Sequence, residues 1–355
     1  MSGSALVFEG PGRLRVIQRE EQPLGPTEVR VRTESAGICG SDVHGFTGAN
    51  QRRVPGMVMG HEAAGVVVDR GSAVTAPAVG DRVAINPAVT CGTCGFCTTG
   101  QDHRCAERRL YGCVLDLAGA FADSFVVEAR NAVPFDGPVP LEWGALVEPI
   151  AVGDHGVGLL QGALKHGVLV IGGGPIGLGA ALGARRRGVG RIVVSEPDAH
   201  RRAIAQSLGF DALDPNTVAD LEPFAAAVEC VAIPATIEAA LTLTRPGGEI
   251  SMVRLGETTV QFPIERLIID ERVVRGSFNY SRADFATVAD WIASGAVDLS
   301  QLIEARVDLE GIIGAFRGYA DGSHRALKTL FAPSESLRQY QPEQSVEANR
   351  STVNP

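Results

Sequence analysis

The sequence contains very little lysine. Lys165 and Lys328 are the only lysines among 32 basic residues, and we read the preference for arginine as a compositional bias without a mechanistic role. Positive charge is also in deficit, because the net charge is −9. A chain without a basic surplus lacks the electrostatic footprint of a protein that binds nucleic acid or an anionic membrane surface. We therefore expect neither nucleic acid nor membrane as a partner.

A secretory signal is also missing from the sequence. The N-terminal segment has no basic stretch followed by an apolar one. The longest stretch without charge, residues 167–184, has the length of a membrane helix. Its seven glycines and one proline fit a strand, a glycine turn and a helix better. We expect a cytoplasmic protein, in which thiols stay reduced.

Aromatic residues are scarce at 5%, but the overall composition is that of a globular protein. Hydrophobic residues make up 45% and charged residues 21% of the 355 positions. A chain of this size buries a large core without disulfides. At roughly 150 residues per domain, the length suggests about two domains.

Four of the seven cysteines lie close together in residues 91–105. Their spacing is C-x2-C-x2-C-x7-C, over Cys91, Cys94, Cys97 and Cys105. Four thiolates joined by short turns form a closed tetrahedral shell around zinc. A closed shell leaves no open position, so we interpret this lobe as a structural zinc site. An iron–sulfur cluster and a thioredoxin-like redox pair are the alternatives.

A second set of metal-ligand residue types is spread along the chain. Cys39 lies in GICGSDVH, His61 and Glu62 lie in GHEAAGVV, and Glu148 lies in ALVEPIAVGDH. Cysteine, histidine and carboxylate are the ligands of catalytic zinc, where one position stays open for water or substrate. Asp42 is a candidate to accept the free ring N–H of His61 and to orient the ring. We predict an open, catalytic zinc site.

A nucleotide-binding turn follows the short apolar run VLVI at residues 168–171. Gly172, Gly174 and Gly177 form G-x-G-x-x-G between this predicted strand and a predicted helix. The first glycine makes the tight turn, the second lets the backbone approach a diphosphate, and the third lets helix pack on strand. Pro175 suits the first turn of that helix, whose N-terminus would meet the phosphates.

The next predicted strand, RIVVSE, ends at Glu196. An acidic group at this distance from the glycine turn binds the ribose 2′-OH and repels a 2′-phosphate, so we predict NAD. Arg201 and Arg202 keep NADP as the alternative. The candidate cofactor-binding residues are Gly172, Gly174, Pro175, Ile176, Gly177, Glu196 and Arg201.

Strand and helix patterns alternate from this turn to about residue 280. Such alternation predicts an α/β fold with a doubly wound parallel sheet. Residues 334–355 are polar and aperiodic, and we predict that they form a mobile tail.

Taken together, these pieces resemble the zinc-dependent medium-chain dehydrogenases, the alcohol dehydrogenase family, over roughly residues 4–333. The matching motifs are GICGSDVH, GHEAAGVV, VGDRVAI, the four-cysteine lobe, ALVEPIAV, VIGGGPIGL and RPGG. The sequence is most similar to the butanediol and sorbitol (polyol) dehydrogenase branch, because of the glutamate in LVEP and of GSFNYSRADFATVADWIASGAVD. The sequence departs from the family at Gly173. The turn reads GGG here, whereas GAG is commoner in the family.

The resemblance implies a split architecture. A β-rich GroES-like catalytic domain would span residues 1–152 and 281–333, with the zinc lobe at 91–105. A Rossmann nucleotide-binding domain would span residues 153–280, and the active site would lie between the two domains. Because the family is usually dimeric or tetrameric, we expect a homodimer or homotetramer.

The resemblance also implies the roles of the site residues. Cys39 and His61 would bind catalytic zinc. Glu62 matches a position that is a ligand in some members and a swinging group in others, and Glu148 matches a further ligand or a carboxylate held off by water. Ser41 and His44 match the proton-relay positions.

The implied activity is hydride transfer between a secondary alcohol and NAD, with two zinc ions per chain. We expect a vicinal diol or polyol as substrate, with the corresponding ketone as product. A cyclitol, an amino sugar or another secondary-metabolite alcohol is the alternative substrate, and a non-catalytic, zinc-stabilised nucleotide-binding protein is the alternative function. We interpret Arg52, Arg53 and Arg254 as solvated surface residues rather than as binders of an anionic substrate.

Overall fold

The computed structural model describes residues 2–160, 162–255, 259–260, 262–334 and 337. The predicted mobile tail therefore lies outside the described residues, apart from Ser334 and Leu337. The strands are β1 (Ser2–Gly10), β2 (Arg13–Glu20), β3 (Glu28–Gly37), β4 (Glu62–Arg70), β5 (Arg82–Ile85), β6 (Ala88–Val89), β7 (Arg109–Leu110), β8 (Ser124–Glu128), β9 (Ala132–Pro134), β10 (Val168–Ile171), β11 (Ile192–Ser195), β12 (Asp211–Leu213), β13 (Phe224–Glu229), β14 (Thr244–Met252), β15 (Val273–Gly276), β16 (Ala305–Val307) and β17 (Thr329–Phe331).

The helices lie mostly in the second half of the chain. They are α1 (Gly40–Phe46), α2 (Gly95–Thr98), α3 (Val147–Gly158), α4 (Pro175–Arg186), α5 (Ala199–Ser207), α6 (Pro215–Val218), α7 (Pro234–Leu243), α8 (Ile264–Ile269), α9 (Arg282–Ala293) and α10 (Leu309–Asp321). No helix among the described residues is long and apolar enough to span a membrane.

The first half of the chain forms a seven-stranded sheet centred on β3. The strand order is β16-β17-β3-β4-β5-β9, and β8 also pairs with β3. One edge of β3 pairs with β4, and β8 and β17 share its other edge at opposite ends. Buried side chains of Val29, Val31, Phe8 and Phe125 pack in the core beside this sheet. The C-terminal strands β16 and β17 thus pair into the N-terminal sheet.

The second sheet is parallel and has six strands. Its order is β12-β11-β10-β13-β14-β15, and every neighbouring pair is parallel. Strand β10 is fully buried, as expected for a parallel strand covered on both faces. Strand order reverses between β10 and β13, which makes the carboxyl edge there the expected nucleotide-binding crevice. The predicted α/β fold with a doubly wound sheet is confirmed.

Helices α3 and α4 pack closely where the two halves of the chain meet. A Cβ built at Gly153 would lie 2.2 Å from the Ala180 nitrogen, so this contact requires glycine. Asp154, which is 1% exposed, pairs with Arg186 at 2.9 Å and with Arg187. The boundary that we expected between residues 152 and 153 falls inside α3, so the helix continues from one half of the chain into the other.

The glycine turn before α4 yields a stability prediction. A Cβ at Gly177 would lie 1.8 Å from the Gly172 carbonyl oxygen, whereas a Cβ at Gly174 meets no described atom within 4 Å. Gly177→Ala should therefore destabilise the protein by about 1–3 kcal/mol, because helix α4 must move off the strand. Gly174→Ala is the matched control and should leave the free energy of unfolding nearly unchanged. Equal denaturation midpoints for the two variants would contradict this account.

Candidate functional site

The pairing of β3 with β4 brings the first candidate ligands together. Gly37 at the end of β3 lies opposite Glu62 at the start of β4. Cys39 follows β3 by two residues, and His61 precedes β4 by one. Ligand atoms of Cys39, His61 and Glu62 lie within 4.8 Å of one another. The structure thus brings together three residues that the sequence predicted as metal ligands, and their role as ligands stays a prediction.

Asp42 lies behind His61 on helix α1 and is fully buried. Its Oδ2 is 3.4 Å from His61 Nδ1, although neither atom has a hydrogen bond of good geometry to a described residue. Its Oδ1 accepts from Arg53 Nη2 at 2.8 Å and from Nε at 3.2 Å. Arg53 is 8% exposed, so our interpretation of it as a solvated surface residue is wrong.

A buried ion pair lies on the other side of the candidate ligands. Lys328 Nζ donates to Glu62 Oε2 at 2.6 Å and to the Ile38 carbonyl at 3.1 Å. Burial alone would lower the pKa of Lys328, but Glu62, Cys39 and Tyr319 together outweigh burial and raise the pKa, so the ammonium stays charged. A Cβ at Gly37 would lie 2.1 Å from Glu62 Oε2, so the carboxylate fills the space that a side chain at this position would need.

The surroundings of His61 favour positive charge. Burial of the ring would lower its pKa, but Cys113, Asp42 and Cys39 raise the pKa of His61 well above its ordinary value. The sequence analysis did not consider Cys113. A pocket of thiols and carboxylates that favours a cation at this position is the environment that a divalent metal requires.

Glu148 lies in the first turn of α3 and is not part of this group of three ligands among the described residues. Its Oε1 accepts from the hydroxyl of Tyr280 at 3.4 Å, and Tyr280 is 1% exposed. Burial raises the pKa of Glu148 to about 7, while the charges of His61 and Lys328 oppose the shift. This carboxyl lies next to the candidate ligands. With a pKa of about 7, both its protonated and its ionised forms are present near neutral pH.

The two predicted proton-relay residues lie on helix α1. Ser41 donates to Cys39 Sγ at 3.4 Å and accepts from Arg53 Nη2 at 3.3 Å. Burial, and next to it the charge of Arg254, lowers the pKa of His44, so its ring is neutral at neutral pH and able to accept a proton. The structure records no hydrogen bond between Ser41 and His44, so the relay stays a prediction.

The four-cysteine lobe is a loop that β6 and β7 close by antiparallel pairing. Sulfur–sulfur distances are 3.5 Å for Cys94–Cys97, 3.6 Å for Cys105–Cys91 and 3.8 Å for Cys91–Cys97. Sulfurs bound to one zinc at about 2.3 Å in a tetrahedron would be about 3.8 Å apart. Backbone N–H groups of Thr93 and Cys94 lower the pKa of Cys91 to about 6, which favours its thiolate, whereas burial and the Cys94 thiol raise the pKa of Cys97 to about 11. These thiols fit a zinc ion.

The lobe contacts the rest of the protein next to Tyr280. The Asp102 carboxylate accepts the backbone N–H of Arg282 at 3.1 Å. The ring of His103 packs edge-on against His155, whose Nδ1 lies 2.8 Å from Asp284 Oδ2. The lobe therefore docks at the N-terminus of α9, two residues after the tyrosine that contacts Glu148.

The glycine turn that the sequence predicts to bind a nucleotide connects β10 to α4. Gly172 has φ +100°, Gly174 is the N-cap of α4, and Pro175 begins the helix with Ile176 and Gly177 after it. These residues lie at the carboxyl edge of β10, where the order of the strands reverses.

Glu196 lies beside this turn and is 5% exposed. Its oxygens accept the N–H of Gly173 at 2.7 Å and of Asp198 at 2.9 Å. A Cβ at Gly173 would lie 3.0 Å from Glu196 Cγ, so the absent side chain gives the carboxylate room. Arg202 turns back to the carbonyls of residues 196 and 197, whereas Arg201 is exposed in the first turn of α5.

Two protein families match the two halves of the chain. Residues 25–137 match the alcohol dehydrogenase GroES-like domain, and residues 175–294 match the zinc-binding dehydrogenases. L-idonate 5-dehydrogenase of Vitis vinifera is 34% identical over 87% of this chain and 88% of its own length. Sorbitol dehydrogenase of Arabidopsis thaliana is 33% identical over 87% of this chain and 89% of its own length.

A solved structure shows the same architecture. A zinc-binding dehydrogenase from Sinorhizobium meliloti 1021, bound to NADP, superposes with a TM-score of 0.85 at 28% identity, over 94% of this chain and all of its own. The chain belongs to the zinc-dependent medium-chain dehydrogenases, the alcohol dehydrogenase family, and within it to the polyol branch. It is an oxidoreductase that acts on secondary alcohols.

Sequence reasoning did not place Lys328, Tyr280, Arg53 or Cys113 at the candidate site. Tyr280 lies in the GSFNYS motif and Lys328 is one of two lysines, but neither signal pointed to Glu148 or Glu62. The tertiary fold brings Tyr280 to Glu148 and Lys328 to Glu62.

Glu148 yields a pH prediction for the metal-free protein. Its pKa rises from an ordinary 4.5 to about 7 on folding, so the folded state keeps this proton to higher pH than the unfolded chain. The stability of the wild type should therefore fall relative to that of Glu148→Gln as pH rises from about 4.5 to about 7, and the difference should level off above. Urea unfolding of both proteins with chelator tests this expectation. A difference that is the same at pH 5 and pH 8 would contradict it.

Proposed function

We propose that this enzyme oxidises a vicinal diol or linear polyol at a secondary carbon with NAD as the hydride acceptor, using an open zinc site at Cys39, His61 and Glu62. The observation that supports this most is the meeting of a thiol, an imidazole and a carboxylate within 4.8 Å. The donor set is that of catalytic zinc. A bound zinc ion would supply Lewis-acid polarisation of the reacting oxygen.

The chain's own residues would bind the reactants and move the proton. The Ser41 hydroxyl lies next to Cys39 Sγ, so it is the nearest candidate to accept the proton of the substrate hydroxyl. His44, kept neutral by burial and by the charge of Arg254, would receive that proton. Asp42, itself fixed by Arg53, would orient the His61 ring. The nicotinamide supplies the hydride-transfer chemistry.

NAD binding is supported by the geometry of the glycine turn. A Cβ at Gly174 meets no described atom within 4 Å, so the backbone is open to a diphosphate at the N-terminus of α4. The Glu196 carboxylate lies beside Gly173, where it would accept a ribose hydroxyl and repel a 2′-phosphate. The similar dehydrogenase from Sinorhizobium meliloti was solved with NADP bound, so the preference of this protein for NAD over NADP should be tested directly.

The substrate is proposed from the names of the relatives. Sorbitol and L-idonate carry several adjacent hydroxyl groups, and they are the substrates named for the two relatives. A cyclitol, an amino sugar or another secondary-metabolite alcohol is the alternative substrate. Reduced thiols are needed at both candidate zinc sites, which supports a cytoplasmic location.

NAD reduction by the zinc-loaded protein tests the function. With a panel of vicinal diols and linear polyols, we expect turnover that a chelator abolishes and that NADP does not match. Cys39→Ala should lose this turnover and one of two zinc ions per chain, with little change in melting temperature. Cys97→Ala should instead lower the melting temperature, because the lobe loses its closed shell. Full turnover by Cys39→Ala would exclude the proposed site.

The proposed homo-oligomer, a dimer or tetramer, is supported by an exposed apolar face at one edge of the parallel sheet. Among the described residues β15 pairs only with β14, so its other edge is free. Next to it on α8, Ile264, Ile268 and Ile269 are 56%, 68% and 70% exposed. A second copy of the chain that pairs through this edge would cover all three side chains.

Ile268→Asp should weaken this assembly. A buried, unpaired carboxylate at the interface costs several kcal/mol, so the variant should sediment with a smaller molecular mass than the wild type. Val79→Asp is the matched control, because Val79 is 58% exposed and lies in the other half of the chain. Sedimentation of the three proteins at equal concentration gives the answer. An unchanged mass for Ile268→Asp would exclude this face as the interface.

A further inference from the structure

Lys328 does not fit the compositional bias that explains the scarcity of lysine. The chain uses arginine for all but two of its basic residues. Lys165 is exposed, but Lys328 is 2% exposed and lies among the candidate metal ligands. A buried lysine in a chain that otherwise uses arginine indicates that this position requires an ammonium group.

The geometry explains why an ammonium group suits the position. Nζ of Lys328 donates to two acceptors on different segments, Glu62 Oε2 at 2.6 Å and the Ile38 carbonyl at 3.1 Å. An ammonium directs three donors out of one small atom, so it reaches acceptors that do not share a plane. A guanidinium is larger and holds its donors in a flat fork.

Each acceptor belongs to a residue that is the sequence neighbour of a candidate ligand. Ile38 precedes Cys39, and Glu62 follows His61. One side chain therefore joins the end of β3 to the start of β4 at the point where the ligands converge. The Lys328 contact thus fixes the orientation of the Glu62 carboxylate, which keeps free lone pairs to offer to a metal.

We propose that Lys328 is a positioning residue of the open zinc site, whose compact ammonium fixes the Glu62 carboxylate and the Cys39 segment in the arrangement that binds the metal. The inference rests on the proposed zinc site and adds to it a residue that is not a ligand. It also assigns the orientation of the Glu62 carboxylate to the Lys328 contact.

Lys328→Met tests the proposal, with Lys165→Met as the matched control. The measurements are zinc content per chain and zinc affinity in competition with a chromogenic chelator. We expect the open site of Lys328→Met to bind zinc about 10- to 100-fold more weakly, while the lobe keeps its ion and Lys165→Met behaves as the wild type. Wild-type zinc affinity in Lys328→Met would overturn the proposal.

A double-mutant cycle tests whether Lys328 acts through Glu62. Glu62→Gln weakens the pair from the other side, so the loss of zinc affinity caused by Lys328→Met should be smaller in the Glu62→Gln background. Fully additive losses would show that the lysine does not position the carboxylate and would overturn the proposal.

Lys328→Arg keeps the test decisive if Lys328→Met does not fold. Removing one partner of a buried ion pair is strongly destabilising, whereas arginine retains the charge. We expect Lys328→Arg to fold and to bind zinc more weakly than the wild type, because its planar group does not reproduce both bonds. Wild-type zinc affinity in Lys328→Arg would overturn the requirement for a compact ammonium and with it the proposal.

Zinc stoichiometry separates this inference from the proposed function. If the wild type binds one zinc per chain, or Cys39→Ala still binds two, the open zinc site itself is wrong. If the wild type binds two, Cys39→Ala binds one, and Lys328→Met binds two with wild-type affinity, the zinc site stands and the role of Lys328 is wrong.

Discussion

The register between β3 and β4 is the constraint on which the candidate site depends. With Gly37 opposite Glu62, the residues just beyond the two strand ends converge. A shift of one residue would exchange the faces of a strand and separate the thiol from the imidazole. Gly37 allows this register, because any side chain there would occupy the space of the Glu62 carboxylate. A backbone arrangement thus sets the donor geometry before any metal binds.

The site concentrates negative groups, and each carboxylate has a different partner. Asp42 is held by Arg53, Glu62 by Lys328 and Glu148 by Tyr280. A buried carboxylate without a partner is costly, so these contacts make the cluster compatible with a folded protein. They also give each carboxylate a separate role. Asp42 faces the histidine, Glu62 lies within 4.8 Å of the candidate thiol and imidazole ligands, and Glu148 keeps a pKa of about 7.

The sequence was sufficient where the relevant residues are close together along the chain. The glycine turn and the cysteine lobe are defined by local spacing, and the alternation of strands and helices predicted the parallel sheet. Contacts between distant segments were not predictable. Lys328 lies 266 residues from Glu62, and Tyr280 lies 132 residues from Glu148. Sequence reasoning gave Lys328 no role because its partner is distant in sequence. It treated Arg53 as solvated although Asp42 lies only 11 residues away, because no sequence motif links the two.

The two candidate metal sites differ in how much of the chain each one needs. The lobe draws all its thiols from residues 91–105, within a loop that β6 and β7 close. The open site needs the β3–β4 pair and also Lys328, which directly precedes β17, the last strand among the described residues. During synthesis on the ribosome the lobe can therefore acquire its ion early, whereas the open site is complete only after residue 328 has emerged. The order of the strands along the chain therefore allows the two candidate sites to form at different stages of synthesis.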